Sequence, residues 1–395
     1  MSNTDWYGVV PSSWSISRIK NILIERNESN NPIKTDFILS LTNDRGVIPY
    51  SEKGAVGNNS KEDITGYKLA YPGDLVLNSM NVVIGSVGIS NYFGCVSPVY
   101  YMLRPRNQND SIEFYNYLFQ TTELQNALKG YGNGILEIRM RISMSKLNTF
   151  LLPKPDCSVQ NKIVRKIKES EAKIDQLINN QQQQIEKLKE YKQSLISEVV
   201  TKGLDPNLKF KDSGIEWIGK IPNDIQLVQL KRLAIINNGK EIVKVDGEIP
   251  VYGSGGIFKY TDEYLFEGES ILYGRKGTID KPLHVNGKFW TVDTMFYTEI
   301  SELVIPRYLY YVSIGSINFD YYKSGSVLPS MTQFELGNVL LPFFDKKSQE
   351  KIIEYLDYKT SLLDKVIEQK SSKIKKLEEF KKSLIYEYVT GKRIV

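Results

Sequence analysis

Glu186 to Gly203 reads EKLKEYKQSLISEVVTKG, and Lys375 to Lys392 reads KKLEEFKKSLIYEYVTGK, a second version of the first at an offset of 189. Leu188, Glu190, Ser194, Leu195, Ile196, Glu198, Val200 and Thr201 recur as Leu377, Glu379, Ser383, Leu384, Ile385, Glu387, Val389 and Thr390. The offset holds upstream, where KLNTFLLP ending at Pro153 lies over ELGNVLLP ending at Pro342. Near the start of each half, Trp6-Tyr-Gly-Val-Val-Pro11 echoes Trp217-Ile-Gly-Lys-Ile-Pro222, now 211 apart because the halves differ in length. A repeat of this size sets the architecture before any local reading. The order is globular, helical, globular, helical.

The helical parts lack Gly and Pro from Ser158 to Lys202 and from Lys346 to Thr390. At 1.5 Å per residue each would run about 60 Å. A seven-residue ladder follows each: Ile167, Ile174, Gln181, Leu188 and Leu195 in one, Leu356, Leu363, Lys370, Leu377 and Leu384 in the other. Companion apolar positions widen the stripe into a coiled-coil seam: Leu177, Ile178, Ile185, Tyr191 and Val199 against Val366, Ile367, Ile374, Phe380 and Tyr388. The pattern predicts that the two helices pack on each other. Both ladders turn polar at Gln181 and Lys370, with Gln184 and Lys373 beyond. We read this rung as a hydrated midpoint rather than a device that fixes register.

Residues 1–157 and 204–345 have a different texture. Short β-rich runs (Asp74-Leu-Val-Leu, Pro98-Val-Tyr-Tyr-Met-Leu, Ser270-Ile-Leu-Tyr, Phe289-Trp-Thr-Val) are separated by Gly, Asn and Asp turns. One helical patch in each, from Ile112 and from Val304, predicts a mixed α+β domain. The boundaries are therefore 1–157, a helix over 158–203, 204–345, and a helix over 346–395.

With 395 residues, 41% hydrophobic and 25% charged, a disordered or fibrous chain is excluded. The net charge of +5 permits nucleic acid as a partner without selecting it. Residues 1–158, 159–203, 204–347 and 348–395 carry +1, +3, −2 and +3, so the excess lies on the helices. Cys95 and Cys157 are too few for a disulfide framework or a four-thiolate zinc site and fit a reducing cytoplasm. No run approaches the ~20 apolar residues of a membrane span, and MSNTDWYGVVPSSW has no leader pattern. A soluble, cytoplasmic chain without a membrane partner is expected.

Catalytic signatures are missing. A nucleobase-amine methyltransferase needs a Gly-rich loop after its first strand and an Asn/Asp/Ser-Pro-Pro-aromatic motif. Asn31-Pro32-Ile33 lacks the second proline and the aromatic. The nearest run to a phosphate-binding Gly-x-x-x-x-Gly-Lys-Ser/Thr loop, Gly274-Arg-Lys-Gly-Thr278, has the wrong spacing. Pro155-Asp156 has no acidic partner and lysine of the kind a metal nuclease needs. His284 is the single histidine, which argues against a histidine relay or a multi-histidine metal site, and beside an Asn-Gly turn it reads as structural. We expect no catalytic residue and no metal site in this chain.

Binding features are better represented. Tyr252-Gly-Ser-Gly-Gly-Ile-Phe-Lys-Tyr260 and Gly274-Arg-Lys-Gly-Thr278 combine backbone freedom with hydroxyls and cations, making Ser254, Lys259, Arg275, Lys276 and Thr278 candidates for contact with DNA. Arg275 in particular has the fork to bond guanine bidentately. From the residues alone, two glycine turns with solvated charges are an equal reading. In the first domain the analogous candidates are Asn78, Ser79 and Asn81, and Arg139 with Arg141, which share a face at strand period beyond Tyr131-Gly-Asn-Gly134, although for such an isolated pair a solvated strand face is the favoured reading.

This order resembles the specificity subunit of type I restriction-modification systems over essentially the whole chain. The resemblance rests on the domain ends. These are Gly325-Ser-Val-Leu-Pro-Ser-Met-Thr, Leu336-Gly-Asn-Val-Leu-Leu-Pro342 and Gln349, and in the first half Leu147-Asn-Thr-Phe-Leu-Leu-Pro153 and Gln160. The helix ends and Trp217-Ile-Gly-Lys-Ile-Pro222 add to it. The family's Pro-Pro-Leu-x-Glu-Gln element is worn down to Pro153-Lys-Pro155 with Val159-Gln160, and to Pro342-Phe-Phe with Ser348-Gln349. The first domain has Gly134-Ile-Leu-Glu-Ile-Arg where the second has its Gly-Ser run, so the two should read different bases.

The resemblance implies an α+β fold of two related target recognition domains separated by two long helices packed as an antiparallel coiled coil, a pseudo-two-fold repeat. It implies a non-catalytic subunit that reads a bipartite target in double-stranded DNA, one domain per half-site. The helices would act as spacer and as docking surface for two modification subunits carrying S-adenosylmethionine. Restriction subunits using ATP and Mg would join them, and this chain itself would bind no cofactor. Shortening both helices by one heptad, around Gln181 and Lys370, should change the number of unspecified bases between half-sites. One rival reading is a coiled-coil adaptor whose β-rich domains bind protein; it predicts weak, salt-insensitive DNA binding, where a reader loses affinity steeply with salt. The other is a nuclease or methyltransferase with an unrecognised site, which would act on DNA without partners.

Overall fold

Leu151-Leu-Pro-Lys and Leu340-Leu-Pro-Phe, the repeated apolar runs that precede the long helices, become strands that close each half onto its own beginning. Ser17 lies opposite Leu152 and Val228 opposite Leu341, so the strands that receive these runs stand 211 residues apart, the offset of the Trp-x-Gly motifs. The computed structural model describes residues 6–43, 45–54, 63–132, 141–242, 246–324 and 329–395. By contact they fall into two units, Met1–Asn180 with Lys373–Val395, and Gln181–Ser372.

The first half runs β1 (Ser15–Arg18), α1 (Ile19–Ile22), β2 (Leu23–Arg26), β3 (Leu39–Thr42), β4 (Gly46–Pro49), β5 (Lys68–Ala70), β6 (Leu75–Asn78), β7 (Val87–Ile89), β8 (Gly94–Val96), β9 (Tyr100–Pro105), α2 (Ile112–Gln120), α3 (Thr122–Lys129), α4 (Met144–Leu147), β10 (Leu151–Lys154) and α5 (Cys157–Lys202). Its main sheet has the order β2-β9-β6-β7. β6 is buried along its whole length, which is why Leu-Val-Leu reads as a continuous apolar run rather than an alternation. The sheet packs on α2 and α3 through Phe114, Leu118, Phe119, Leu124 and Leu128, and Ile163, Ile167, Leu384 and Tyr388 of the long helices complete the same core.

The second half runs β11 (Phe210–Asp212), β12 (Lys220–Pro222), β13 (Gln226–Gln229), β14 (Ala234–Asn238), β15 (Ile249–Gly253), β16 (Gly256–Thr261), β17 (Phe266–Glu267), β18 (Ser270–Gly274), β19 (Leu283–Val285), β20 (Lys288–Thr291), β21 (Met295–Ile300), α6 (Pro306–Ser316), α7 (Phe319–Tyr322), α8 (Gln333–Asn338), β22 (Leu340–Phe343) and α9 (Lys346–Val389). Its main sheet, β14-β21-β18-β19, repeats the first in order, all pairs antiparallel. The halves differ in the additional strands. The first has the pairs β3-β4 and β5-β8, the second a four-stranded sheet β16-β15-β20-β17.

Two readings need correction. The helical patch from Ile112 is two helices, because Thr121 adopts extended angles (φ −72°, ψ 136°) and turns its hydroxyl back to donate to the Leu118 carbonyl at 2.7 Å. The seam is also narrower than its companion list. Ile167, Ile174, Leu195, Leu356 and Leu384 are buried, and Leu188, Leu363 and Leu377 half-buried. Leu177, Tyr191 and Phe380, however, stand about half exposed, outside the stripe that a two-helix contact covers.

The helices pack in antiparallel fashion. In the second unit Lys370 meets Gln184 and Lys192 meets Asp364, so one helix ascends while the other descends. The polar rung is a direct bridge rather than only a hydrated midpoint. Lys370 Nζ donates to Gln184 Oε1 at 2.5 Å and to Gln181 Oε1 at 3.4 Å, joining the two helices at a half-exposed rung of the seam. In the first unit Lys381 pairs with Asp175 at 3.0 Å and Glu171 at 3.5 Å.

Candidate nucleic-acid interface

The candidate loops follow β6 in one half and β18 in the other, and the main chain holds them in the same way. Asn78 ends β6 opposite Tyr100, and Gly274 ends β18 opposite Met295. One residue on, Ser79 N–H donates to the Val99 carbonyl at 3.2 Å and Arg275 N–H to the Thr294 carbonyl at 2.8 Å. The carbonyls of Ser79 and Arg275 accept in turn from Ile142 N–H at 2.9 Å and Met331 N–H at 3.0 Å. Ser79 and Arg275 thus occupy one position of a common frame, closed from above by the segment that leads to α4 or α8.

The side chains in that frame diverge. Ser79 is fully buried, hydroxyl included, and Asn78 nearly so, its side-chain oxygen accepting from Met80 N–H at 3.0 Å. Asn81 is half-buried, and its carbonyl accepts from Ile84 and Ser86. Arg141 is exposed, while Arg139 lies outside the described residues. At the other end of β6, burial pushes the Asp74 carboxyl up against the opposing pull of the Tyr71 N–H and the Arg26 guanidinium, whose Nε bonds it at 3.0 Å.

In the second domain the frame delivers a cation. Arg275 is half-buried, its guanidinium donating to the Asp293 carbonyl at 3.4 Å with Cζ 5.9 Å from the Phe296 ring centre. Lys276 is exposed, its backbone bridged to Ser330. Thr278 is half-buried, and its carbonyl lies so close that a Cβ on Gly274 would sit 2.1 Å from it, so only glycine turns this corner. The β15–β16 hairpin reaches the same place. Ser254 at its tip approaches within 3.0 Å of where a Cβ on Gly277 would stand, and Lys259 is exposed on β16. The structure therefore brings Ser254, Arg275, Lys276 and Thr278 together. His284 is a packing residue, with Nε2 3.0 Å from Glu269 Oε1 and its ring stacked 6.0 Å from Tyr310. Among the described residues no three His, Cys, Asp or Glu side chains group as metal ligands.

What fixes each domain to its long helix is a glutamine whose role the sequence did not reveal. Gln160 and Gln349 are both fully buried in the first turn of α5 and α9. Their side-chain oxygens accept from Ser111 N–H at 2.7 Å and Ile305 N–H at 2.9 Å, the amides opening α2 and α6. Their amide groups donate to the carbonyls of Pro155 and Phe344, and Gln160 also to Asp110 at 3.0 Å. A second tie reverses its polarity between halves. Glu113 on α2 pairs with Lys168, whereas Arg307, the equivalent position on α6, pairs with Asp357. Tyr311 hydrogen-bonds the same Asp357, and burial, then that bond, pushes its hydroxyl up to about 12. Only a paired reading at an offset of 194 for the short helices and 189 for the long ones would have found this exchange.

A duplicated mixed domain, each copy tied to the start of its own long helix and holding an exchangeable side chain in one loop frame, defines an internally repeated recognition protein. The family model of the type I restriction modification DNA specificity domain matches residues 11–187 and again 222–378. The chain belongs to this family of specificity subunits and carries two recognition domains. It is similar to the putative type I restriction enzyme MjaX specificity subunit of Methanocaldococcus jannaschii, 23% identical over 98% of this chain and 95% of that one. The MjaVIII specificity subunit of the same organism is 24% identical over 80% of this chain and 76% of its own length. In fold the chain is similar to one solved for the complex assembly and conformational transition of the type I R-M system, with a TM-score of 0.73 at 13% identity over 96% and 98% of the two chains. It is also similar to the HsdS subunit from Thermoanaerobacter tengcongensis, with a TM-score of 0.52 at 12% identity over 97% and 98%.

Proposed function

We infer that this specificity subunit is a non-catalytic reader of a bipartite site in double-stranded DNA, the first domain addressing one half-site and the second domain the other. The observation that carries the reading is the common frame holding Ser79 in one domain and Arg275 in the other. One fold is used twice with different chemistry at the same place, which is what an asymmetric target requires. The chain's own residues would position and discriminate. Methyl transfer with S-adenosylmethionine belongs to two modification subunits, and ATP- and Mg-dependent work to restriction subunits. The half-exposed apolar residues on the long helices, Leu177 and Phe380 in one unit and Tyr191, Tyr358 and Leu362 in the other, suit docking of those subunits. α5 and α9 are unbroken helices of 46 and 44 residues, the form expected of a spacer, so half-site separation should follow their length. Among the described residues no helix is long and apolar enough to cross a membrane.

The test is a methylation map of the source genome with and without this chain. An asymmetric split motif that disappears on deletion is expected. A map unaltered by the deletion would refute the reading.

A further inference from the structure

On the same second-domain face, the hairpin carries apolar side chains that the fold leaves uncovered. β16 is the outer strand of its sheet, and Ile257, Phe258, Lys259 and Tyr260 are all exposed. Four consecutive exposed residues break the alternation of a half-buried strand. The register explains it: Tyr252 pairs with Ile257 and Val251 with Lys259, so Phe258 is the extra residue of a bulge. A bulge re-aims side chains. Here the Phe258 ring is turned over Gly253, where a Cβ would stand 3.3 Å from its Cδ1 and Cε1 and 3.8 Å from Val292 Cγ2.

The Val292–Thr294 turn then links Phe258 to Arg275. Val292 N–H donates to the Tyr252 carbonyl at 3.1 Å, while the carbonyls of Asp293 and Thr294 hold the guanidinium and amide of Arg275. Phe258 and Arg275 therefore flank one turn, with Lys259 and Lys276 exposed beside them. A two-stranded ribbon is one of the shapes the major groove admits, thymine presents a methyl group there and guanine a pair of acceptors.

We propose that the β15–β16 hairpin enters the major groove of the half-site read by the second domain and that Phe258, supported by Ile257, recognises a thymine methyl beside the base read by Arg275. The occupant is duplex DNA rather than protein because cations accompany the apolar pair, Lys259 with its Nζ 5.7 Å from the centre of the Phe258 ring and Arg275 across the Val292–Thr294 turn, matching the phosphates that border a groove. The proposal rests on the DNA-reading function inferred above.

The test uses the full chain assembled with its modification subunits, on duplexes carrying the mapped motif. Single thymines of the second half-site, on either strand, are replaced by uracil, which removes only the 5-methyl group. At one position uracil should weaken wild-type binding about fourfold, the worth of one buried methyl-sized group. Phe258→Ala should bind the thymine and uracil duplexes equally, at the weakened level, and Phe258→Leu should keep part of the preference. Unchanged reading of the first half-site shows that the variants fold. Indifference to uracil at every position, a second half-site without an A·T pair, or a Phe258→Ala complex that discriminates like wild type overturns the proposal. Loss of subunit assembly rather than of thymine preference also overturns it, in favour of a protein partner. A wild-type complex with no sequence preference at all would instead overturn the reading on which the proposal rests.

Discussion

The main sheets of the two halves agree in order, strand register and the hydrogen bonds that close the loop frame, yet the frame holds a sealed serine in one half and an accessible arginine in the other. The helix ties behave likewise, with a common glutamine and an ion pair whose signs are exchanged. The difference teaches that duplication preserved what depends on the main chain and released what depends on individual side chains. The first domain, with Ser79 closed off, must read by other means, among which exposed Arg141 remains a candidate.

The largest effects should come from the glutamines. Gln349→Ala strands the Ile305 N–H and the Phe344 carbonyl and should cost about 2 kcal/mol, while Gln160→Ala also deprives buried Asp110 of a donor and should cost about 3 kcal/mol. Chemical denaturation, with hydrogen exchange at the Ser111 and Ile305 amides, measures both. Equal losses would mean that the Asp110 contact adds nothing and that the halves are tied alike.

Next in size is the contrast within the frame. Arg275→Ala should relax the second half-site by about 1–3 kcal/mol of base discrimination, and Ser79→Ala should leave the first half-site and the fold within about 0.5 kcal/mol of wild type. Methylated-motif mapping of both variants is the check. A relaxed first half-site in the serine variant would show that the frame position reads in both domains.

The smallest effect belongs to the exchanged ion pairs, which are partly exposed. Arg307→Glu faces Asp357 with a like charge and should lose about 1 kcal/mol, recovered by adding Asp357→Lys. The same cycle at Glu113 and Lys168, run as Glu113→Arg with Lys168→Asp, should give the first half the polarity of the second without net loss. Denaturation midpoints that show no coupling in either cycle would make the exchange of signs incidental.

Much of this was legible in the sequence, for reasons that differ by region. The long helices could be read because their heptads and the 189-residue offset are local and redundant. The seam is narrower than the apolar pattern because Leu177, Tyr191 and Phe380 are apolar without being covered, and apolar character alone does not say what covers it. Gln160 and Gln349 were visible as a motif, but their partners, Ser111 and Ile305, are set by the folding of α2 and α6 against the long helices. The enclosure of Ser79 depends on Ile142 and Val99, far away in sequence, and although the Ser254 and Arg275 segments are each legible as glycine turns, their meeting is set by strand pairing that no local pattern announces.

The bonds that close the loop frame join N–H to carbonyl and take no part from any side chain. Such a clasp is indifferent to the letter written at its centre. A lineage can therefore change that letter without breaking any bond of the clasp itself, so heritable change of what this surface recognises is limited by the room around the side chain and not by the frame that holds it.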